Sequence, residues 1–240
     1  MLHAVCGRYT NTLAPAQLQE RFGVAFPADA GSHRFNVAPT ERVLAVVRGE
    51  RGLHARVLRW GLVPWWAKDL KGAARMINAR IETVERKPAF RELLAGARGR
   101  EGGRALICAD GWFEWLKAED PRQPRQPFHF SVDGGAPFAF AGLWARARID
   151  GQTVETSTIL TRSALDNPVA SRIHDRMPVV VSDRDGETAW LGEDIEATEA
   201  LAALGSLAPE RLRVTAANPR VNRSGLEQEG PDLLVAPVAA

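Results

Sequence analysis

Apolar residues recur along this chain with two different periods. At 43–48 and 55–62 they are β-branched and half-alternating, which predicts two strands joined by a turn over 49–52, a hairpin. Between Thr12 and Gly23 the spacing changes to Pro15, Leu18 and Phe22, which predicts a short capped helix. A second helix is predicted around Phe90, Leu93 and Leu94, ending near Gly96. Two more are predicted over 183–191 and 196–204, the last with an apolar stripe of Leu201 and Leu204. Strand patterns return at 104–116 with a break at Asp110-Gly111, at 128–132 and 138–147 around Gly134-Gly135, and at 156–161, 179–181 and 212–216. The segments 34–40 and 122–127 read as loops, because proline has no amide hydrogen for a ladder and biases its predecessor to extended geometry. No repeat or linker appears, so residues 6–240 read as a single strand-rich domain of mixed architecture closed on itself.

Several residues break these patterns. Glu114 lies between Phe113 and Trp115 beside an apolar run. Either it faces the core, where desolvation raises its pKa toward the range of a working acid or base, or alternation turns it to water. Cys108 within the same run reads as inert core. Adjacent Trp65 and Trp66 cannot both face inward from a regular strand; one faces solvent or a ligand, or the pair plugs the end of a sheet. Asn78 and Arg80, just ahead of a helix, suit either the orienting of a phosphate or carbonyl, or a cap and a solvated charge. Among five histidines, His174 stands in a dense polar cluster beside a strand, where neighbouring charges tune its proton.

Composition narrows the field. Thirty-one Lys and Arg against 29 Asp and Glu leave a formal charge of +2, so no global field recruits nucleic acid and any polyanion site must be local. Two distant cysteines make neither a disulfide framework nor a metal knuckle, and no apolar run approaches membrane length. No metal-binding pattern, Walker loop or dinucleotide fingerprint implies a cofactor. The chain reads as soluble, monomeric and cytoplasmic, with no membrane partner.

Cys6 organises the chemistry. A cysteine at a chain terminus presents a 1,2-aminothiol, whose amine (pKa near ~8) and thiol (near ~8.5) become nucleophilic at neutral pH with modest electrostatic help. Such a pair condenses with an aldehyde to a Schiff base and then a thiazolidine. Met1 to Val5 precede it and must be absent or removed for that chemistry; a start at Val5, read from a GTG codon, is one route. The bland reading is a small buried apolar residue.

Six segments in order then carry a resemblance: Cys6-Gly7-Arg8-Tyr9, Asn36-Val37-Ala38-Pro39, 60–66 with its Trp pair, Ile77-Asn78-Ala79-Arg80-Ile81-Glu82-Thr83, 109–115 and Ile173-His174-Asp175-Arg176-Met177-Pro178. Together the chain resembles the SOS response-associated peptidase (SRAP) family of abasic-site processing proteins, from Cys6 to the tail near Asn222. The resemblance implies an α+β fold, a barrel-like antiparallel or mixed sheet flanked by short helices. It implies binding of single-stranded DNA and a thiazolidine crosslink between Cys6 and the aldehyde of an abasic site. Glu114 and His174 would shuttle protons, and Asn78 would position the reacting groups. DNA contact would fall to Arg8, Arg80 and Arg176, to Trp65 or Trp66, and to the loop of Asn36 and Pro39. Autoproteolytic processing at the amino terminus and abasic-site lyase activity are further family traits. The departure is the amino terminus, since in the family the cysteine directly follows the initiator methionine. Two other classes remain, a thiol peptidase or amidase with Cys6 attacking an amide, and a noncatalytic single-strand binding module. A denaturant-resistant adduct with abasic DNA separates the first from the crosslinking reading; equal binding of intact and abasic strands would mark the second.

Overall fold

The structure is a computed structural model that describes residues 6–28, 33–96, 102–116, 125–225 and 227–237. Met1 to Val5 and residues 122–124 of the expected loop lie outside the described residues. In chain order the elements are β1 (Arg8–Asn11), α1 (Pro15–Phe22), β2 (Arg34–Val37), β3 (Arg42–Gly49), β4 (Gly52–Trp60), β5 (Asn78–Arg80), α2 (Pro88–Leu94) and β6 (Gly102–Ala109). There follow β7 (Gly111–Trp115), β8 (Pro127–Val132), β9 (Phe138–Ile149), β10 (Gln152–Ser163), β11 (Arg176–Pro178), β12 (Val180–Val181), α3 (Arg184–Leu191), α4 (Ala197–Ala203) and β13 (Leu212–Ala216).

Five strands close on themselves. β3 pairs β4, β6 pairs β3, β9 pairs β6 and β10 pairs β9, all antiparallel, and a parallel contact of β10 with β4 at Thr156–Arg59 completes the ring. Closure removes the sheet edges that would otherwise template aggregation. Gly142 sits where β9 meets both β6 and β10; a Cβ there would come within 2.7 Å of the Thr158 carbonyl oxygen, so the joint requires glycine. This bears out the expectation of a strand-rich α+β fold with a mixed, barrel-like sheet.

The period-two pattern sorts the barrel residues onto two sides. Leu44, Val46, Leu106, Cys108 and Ala141 join Leu18, Phe22, Phe90 and Trp190 of the helices in one buried cluster. Val43, Ala45, Val47, Ala105 and Ile107 join Tyr9, Trp112 and Phe130 of a second sheet in another. That sheet is antiparallel, in the order β13-β8-β7-β1-β2. It leaves the barrel at Asp110, between β6 and β7. The Asp110 carboxylate, 8% exposed, accepts from the Thr10 hydroxyl (2.5 Å), the Thr12 amide (2.9 Å) and the Thr12 hydroxyl, which locks β1 against the corner.

Three local readings change. Residues 34–37, expected as loop, form edge strand β2 on β1, and the chain turns only at Pro39-Thr40, where Thr40 takes φ 73°. Asn78–Arg80 is a strand, β5, parallel to β10. The Trp pair is not in a strand: it occupies a turn, both rings are about half exposed (50% and 46%), and they meet edge to face at 5.6 Å. Among the described residues no helix is long and apolar enough to cross a membrane.

Candidate active site

β7 decides where Glu114 points. Trp112 and Glu114 share one face of this strand and Phe113 and Trp115 the other. Both faces are covered, because Phe113 and Trp115 pack with Ala217, Val221 and Leu234 of the C-terminal segment. Glu114 is therefore core-facing, at 2% exposure, and its Oε1 accepts the backbone N–H of Cys6 at 2.7 Å. Desolvation pushes the Glu114 carboxyl well above the usual carboxylate range; the Cys6 N–H opposes this, and the charge of Asp175 adds to it. The carboxyl thus holds its proton under conditions where surface carboxylates have lost theirs.

Cys6 is itself fully buried, in the cluster that contains Tyr9, Trp60, Ile77, Ile159 and Met177. Burial pushes its thiol well up, so the resting sulfur is a thiol that needs a base. Its backbone has φ 45°, in the left-handed region that non-glycine residues rarely adopt.

β10 supplies the flanks. Beyond its contact with β4 it pairs β5 on one side, with Ile159 opposite Asn78, and β11 on the other, with Ser163 opposite Arg176. Asn78 is half-buried at the head of β5, and the preceding Ile77 carbonyl accepts both the Trp60 indole N–H and the Ile159 amide at 2.9 Å. His174 precedes β11; its Nδ1 lies 3.1 Å from the Arg176 amide nitrogen and 3.0 Å from Oδ1 of Asp175. Cys6 and Glu114 are thus in direct contact. Asn78 begins β5 and His174 lies two residues before β11; their chain neighbours Ile77 and Ile173 belong to or pack against the cluster that holds Cys6.

The residues expected to meet DNA divide by environment. Arg80, Trp65 and Trp66 are exposed and Pro39 is partly so. Arg8 is turned inward: its Nη1 donates to Asn36 Oδ1 and to the carbonyls of Val221 and Arg223, all at 2.9 Å. Asn36, buried, donates to the Arg223 carbonyl at 2.8 Å, so the two together hold the C-terminal segment against β1 and β2. Arg176 forms a two-pronged pair with Glu82 (3.1 and 2.9 Å) and donates to the Thr161 carbonyl at 2.7 Å. Glu82 is not singled out by the sequence, although it lies two residues after Arg80; against the desolvation that raises it, its pairing with Arg176 and the amides of Glu82 and Ser163 hold its carboxylate low. Among the described residues no three His, Cys, Asp or Glu side chains converge as a metal site would need.

Comparison with known proteins agrees with this architecture. The pattern of the family described as SOS response associated peptidase (SRAP) matches residues 5–224. Abasic site processing protein YoaM of Bacillus subtilis (strain 168) is 36% identical over 190 residues, covering 78% of this chain and 79% of its own. Abasic site processing protein YedK of Escherichia coli (strain K12) is 35% identical over 168 residues, covering 70% of this chain and 68% of its own. A crystal structure of a protein from Bacteroides thetaiotaomicron shares the fold at a TM-score of 0.80 with 20% identity, over 97% of this chain and all of that one. With the family match spanning nearly the full sequence and relatives above one-third identity over most of their length, this chain belongs to the SOS response associated peptidase (SRAP) family.

Proposed function

We propose that this protein processes abasic sites in single-stranded DNA by covalent capture of the sugar aldehyde on Cys6, acting as a monomer without a cofactor. The observation that carries the reading is the 2.7 Å contact between the Cys6 backbone nitrogen and a buried carboxyl that keeps its proton. An acid at that nitrogen serves each step in which the nitrogen changes its bonding.

The first step is self-cleavage. Hydrolysis of the Val5–Cys6 bond consumes one water: its hydroxyl joins the Val5 carbonyl carbon, its second proton leaves to solvent, and Glu114 gives its own proton to the departing nitrogen. The carboxylic acid formed at Val5 passes its proton to the new α-amine, and the Glu114 carboxylate takes a proton back from that ammonium, which returns the amine to its nucleophilic form. That amine adds to C1′ of the ring-opened sugar to give a carbinolamine. Loss of water, with a proton supplied by Glu114 and the proton on nitrogen returned to the carboxylate so formed, gives the imine. The Cys6 sulfur then adds to the imine carbon while its proton passes to nitrogen through Glu114 or His174, closing the thiazolidine. Overall, capture forms one C–N and one C–S bond and releases one water. Lyase activity is the competing fate of the imine: removal of a C2′ proton expels the 3′ phosphate before sulfur closes the ring.

Asn78 orients the reacting groups from the head of β5. Arg80 contacts phosphate, while Trp65 and Trp66, with Pro39, stack against bases, a contribution indifferent to sequence and suited to a lesion that occurs anywhere. Arg8 and Asn36 serve by fixing the wall formed by the C-terminal segment, and Arg176 meets phosphate by exchanging it for Glu82.

The test is incubation of purified protein with an abasic oligonucleotide, a denaturing gel, and intact mass of the protein. A denaturant-resistant adduct, on a chain whose mature terminus is Cys6, is the expected result. Failure to form an adduct on a chain that does begin at Cys6 overturns the reading.

A further inference from the structure

Asp175 has no assigned part in the reaction, yet it meets one of the groups proposed to move protons. Its Oδ1 lies 3.0 Å from Nδ1 of His174. Its side chain is 79% exposed, but its backbone is fixed: the Asp175 carbonyl accepts the Ala164 amide at 2.9 Å, just before β11 pairs with β10.

Nδ1 of His174 has two competing partners. The Arg176 amide, at 3.1 Å, can only donate, and the Asp175 carboxylate, at 3.0 Å, can only accept. One imidazole nitrogen serves one of them at a time. Bare, it accepts from Arg176 and the ring is neutral; protonated, it donates to Asp175 and the ring is a cation. The guanidinium of Arg176 stays out of this contest, since its terminal nitrogens bond Glu82 and Thr161. Glu114 accepts the Cys6 N–H from the segment before β1, and the charge of Asp175 adds to the burial that raises its carboxyl.

We infer that Asp175 is a positioning residue of this site: its carboxylate, 3.0 Å from Nδ1 of His174, stabilises the proton there and so decides which of its two partners the ring serves. A ring that can hold a proton can hand one to nitrogen and take up the one that sulfur gives up as the thiazolidine closes. The inference rests on the proposed function for its meaning, but the proton arrangement is readable without any DNA.

The experiment is a titration of the His174 ring nitrogens by 15N NMR in the resting protein, with the signal assigned through His174→Gln, alongside the pH dependence of adduct formation. Asp175→Asn keeps the shape and removes the charge; Asp175→Glu restores the charge on an exposed position where it is sterically tolerated. The expected result is a fall of the His174 midpoint by about half a pH unit in the Asn variant. The alkaline decline in adduct rate should move down with it, and the Glu variant should recover both. An unchanged midpoint in Asp175→Asn overturns the inference. Absence of any adduct in the wild-type protein would instead remove the functional reading, while the titration still decides the role of Asp175.

Discussion

The backbone nitrogen of Cys6 and Oε1 of Glu114 meet at 2.7 Å across 108 residues of sequence, and both residues are buried. A carboxyl confined there binds its proton more tightly folded than unfolded. The folded state therefore carries the extra proton between the ordinary carboxylate range and the raised native value, and stability falls as pH rises through that window, by about 1.4 kcal/mol per pH unit. Glu114→Gln, which keeps an acceptor for the Cys6 N–H but does not titrate, should flatten that fall. Denaturant unfolding at a series of pH values checks this, and parallel curves for the two proteins would contradict it. The same variant should slow adduct formation roughly 100-fold or more.

Replacing the Cys6 sulfur separates the two bonds of the proposed linkage. Cys6→Ser retains the amine, so borohydride should still trap an imine, while the spontaneous denaturant-stable adduct is lost. Cys6→Ala should behave in the same way, with the fold intact by circular dichroism. A stable adduct in either variant without reductant would place the covalent bond on another residue.

Arg80 is exposed on β5, and its substitution by alanine should lower the salt dependence of single-strand binding by about 0.7 in the log–log slope, the share of one phosphate. Trp65→Ala and Trp66→Ala should each cost about 1–3 kcal/mol of binding and, because both rings are half exposed, less than about 0.5 kcal/mol of stability. Equilibrium binding across a salt series, with thermal melts of the same samples, distinguishes these effects.

Asp110 is a purely architectural expectation. Removing its carboxylate strands the hydroxyls of Thr10 and Thr12 and the Thr12 amide at a buried corner, so Asp110→Ala should destabilise by about 3 kcal/mol and Asp110→Asn by less. The denaturant midpoint reads the difference directly.

What the chain discloses before folding follows the range of its interactions. The β3–β4 hairpin is legible because both partners and their turn lie within twenty residues, and α1 because Gly23 stops it in the left-handed conformation its sequence position invites. β2 and β5 are not, since strands of four and three residues are defined by the partners they find, β1 and β10, rather than by their own pattern. Glu114 could not be assigned a side by alternation, because both faces of β7 are covered and the rule that distinguishes core from water has nothing to separate. The Glu82–Arg176 pair joins residues 94 apart, and the Asp110–Thr10 bond residues 100 apart, so neither leaves a local trace.

The chain between β4 and β5 departs from β10 and returns to the same edge of it. Gly61 donates to the Ser157 carbonyl at 2.8 Å on leaving, Ile159 donates to the Ile77 carbonyl at 2.9 Å on return, and the Leu62 amide bonds the Met76 carbonyl at 3.1 Å across the neck. A detour pinched shut at its base adds little closure entropy when it lengthens, because that cost grows only with the logarithm of its size. Val63 and Ala73, buried against Ala147 and Ile149 of β9, fasten its two ends, so the exposed stretch that carries Trp65 and Trp66 is an exchangeable cassette: evolution, or an engineer, can rewrite how the surface greets a polymer while those two anchors stay in place.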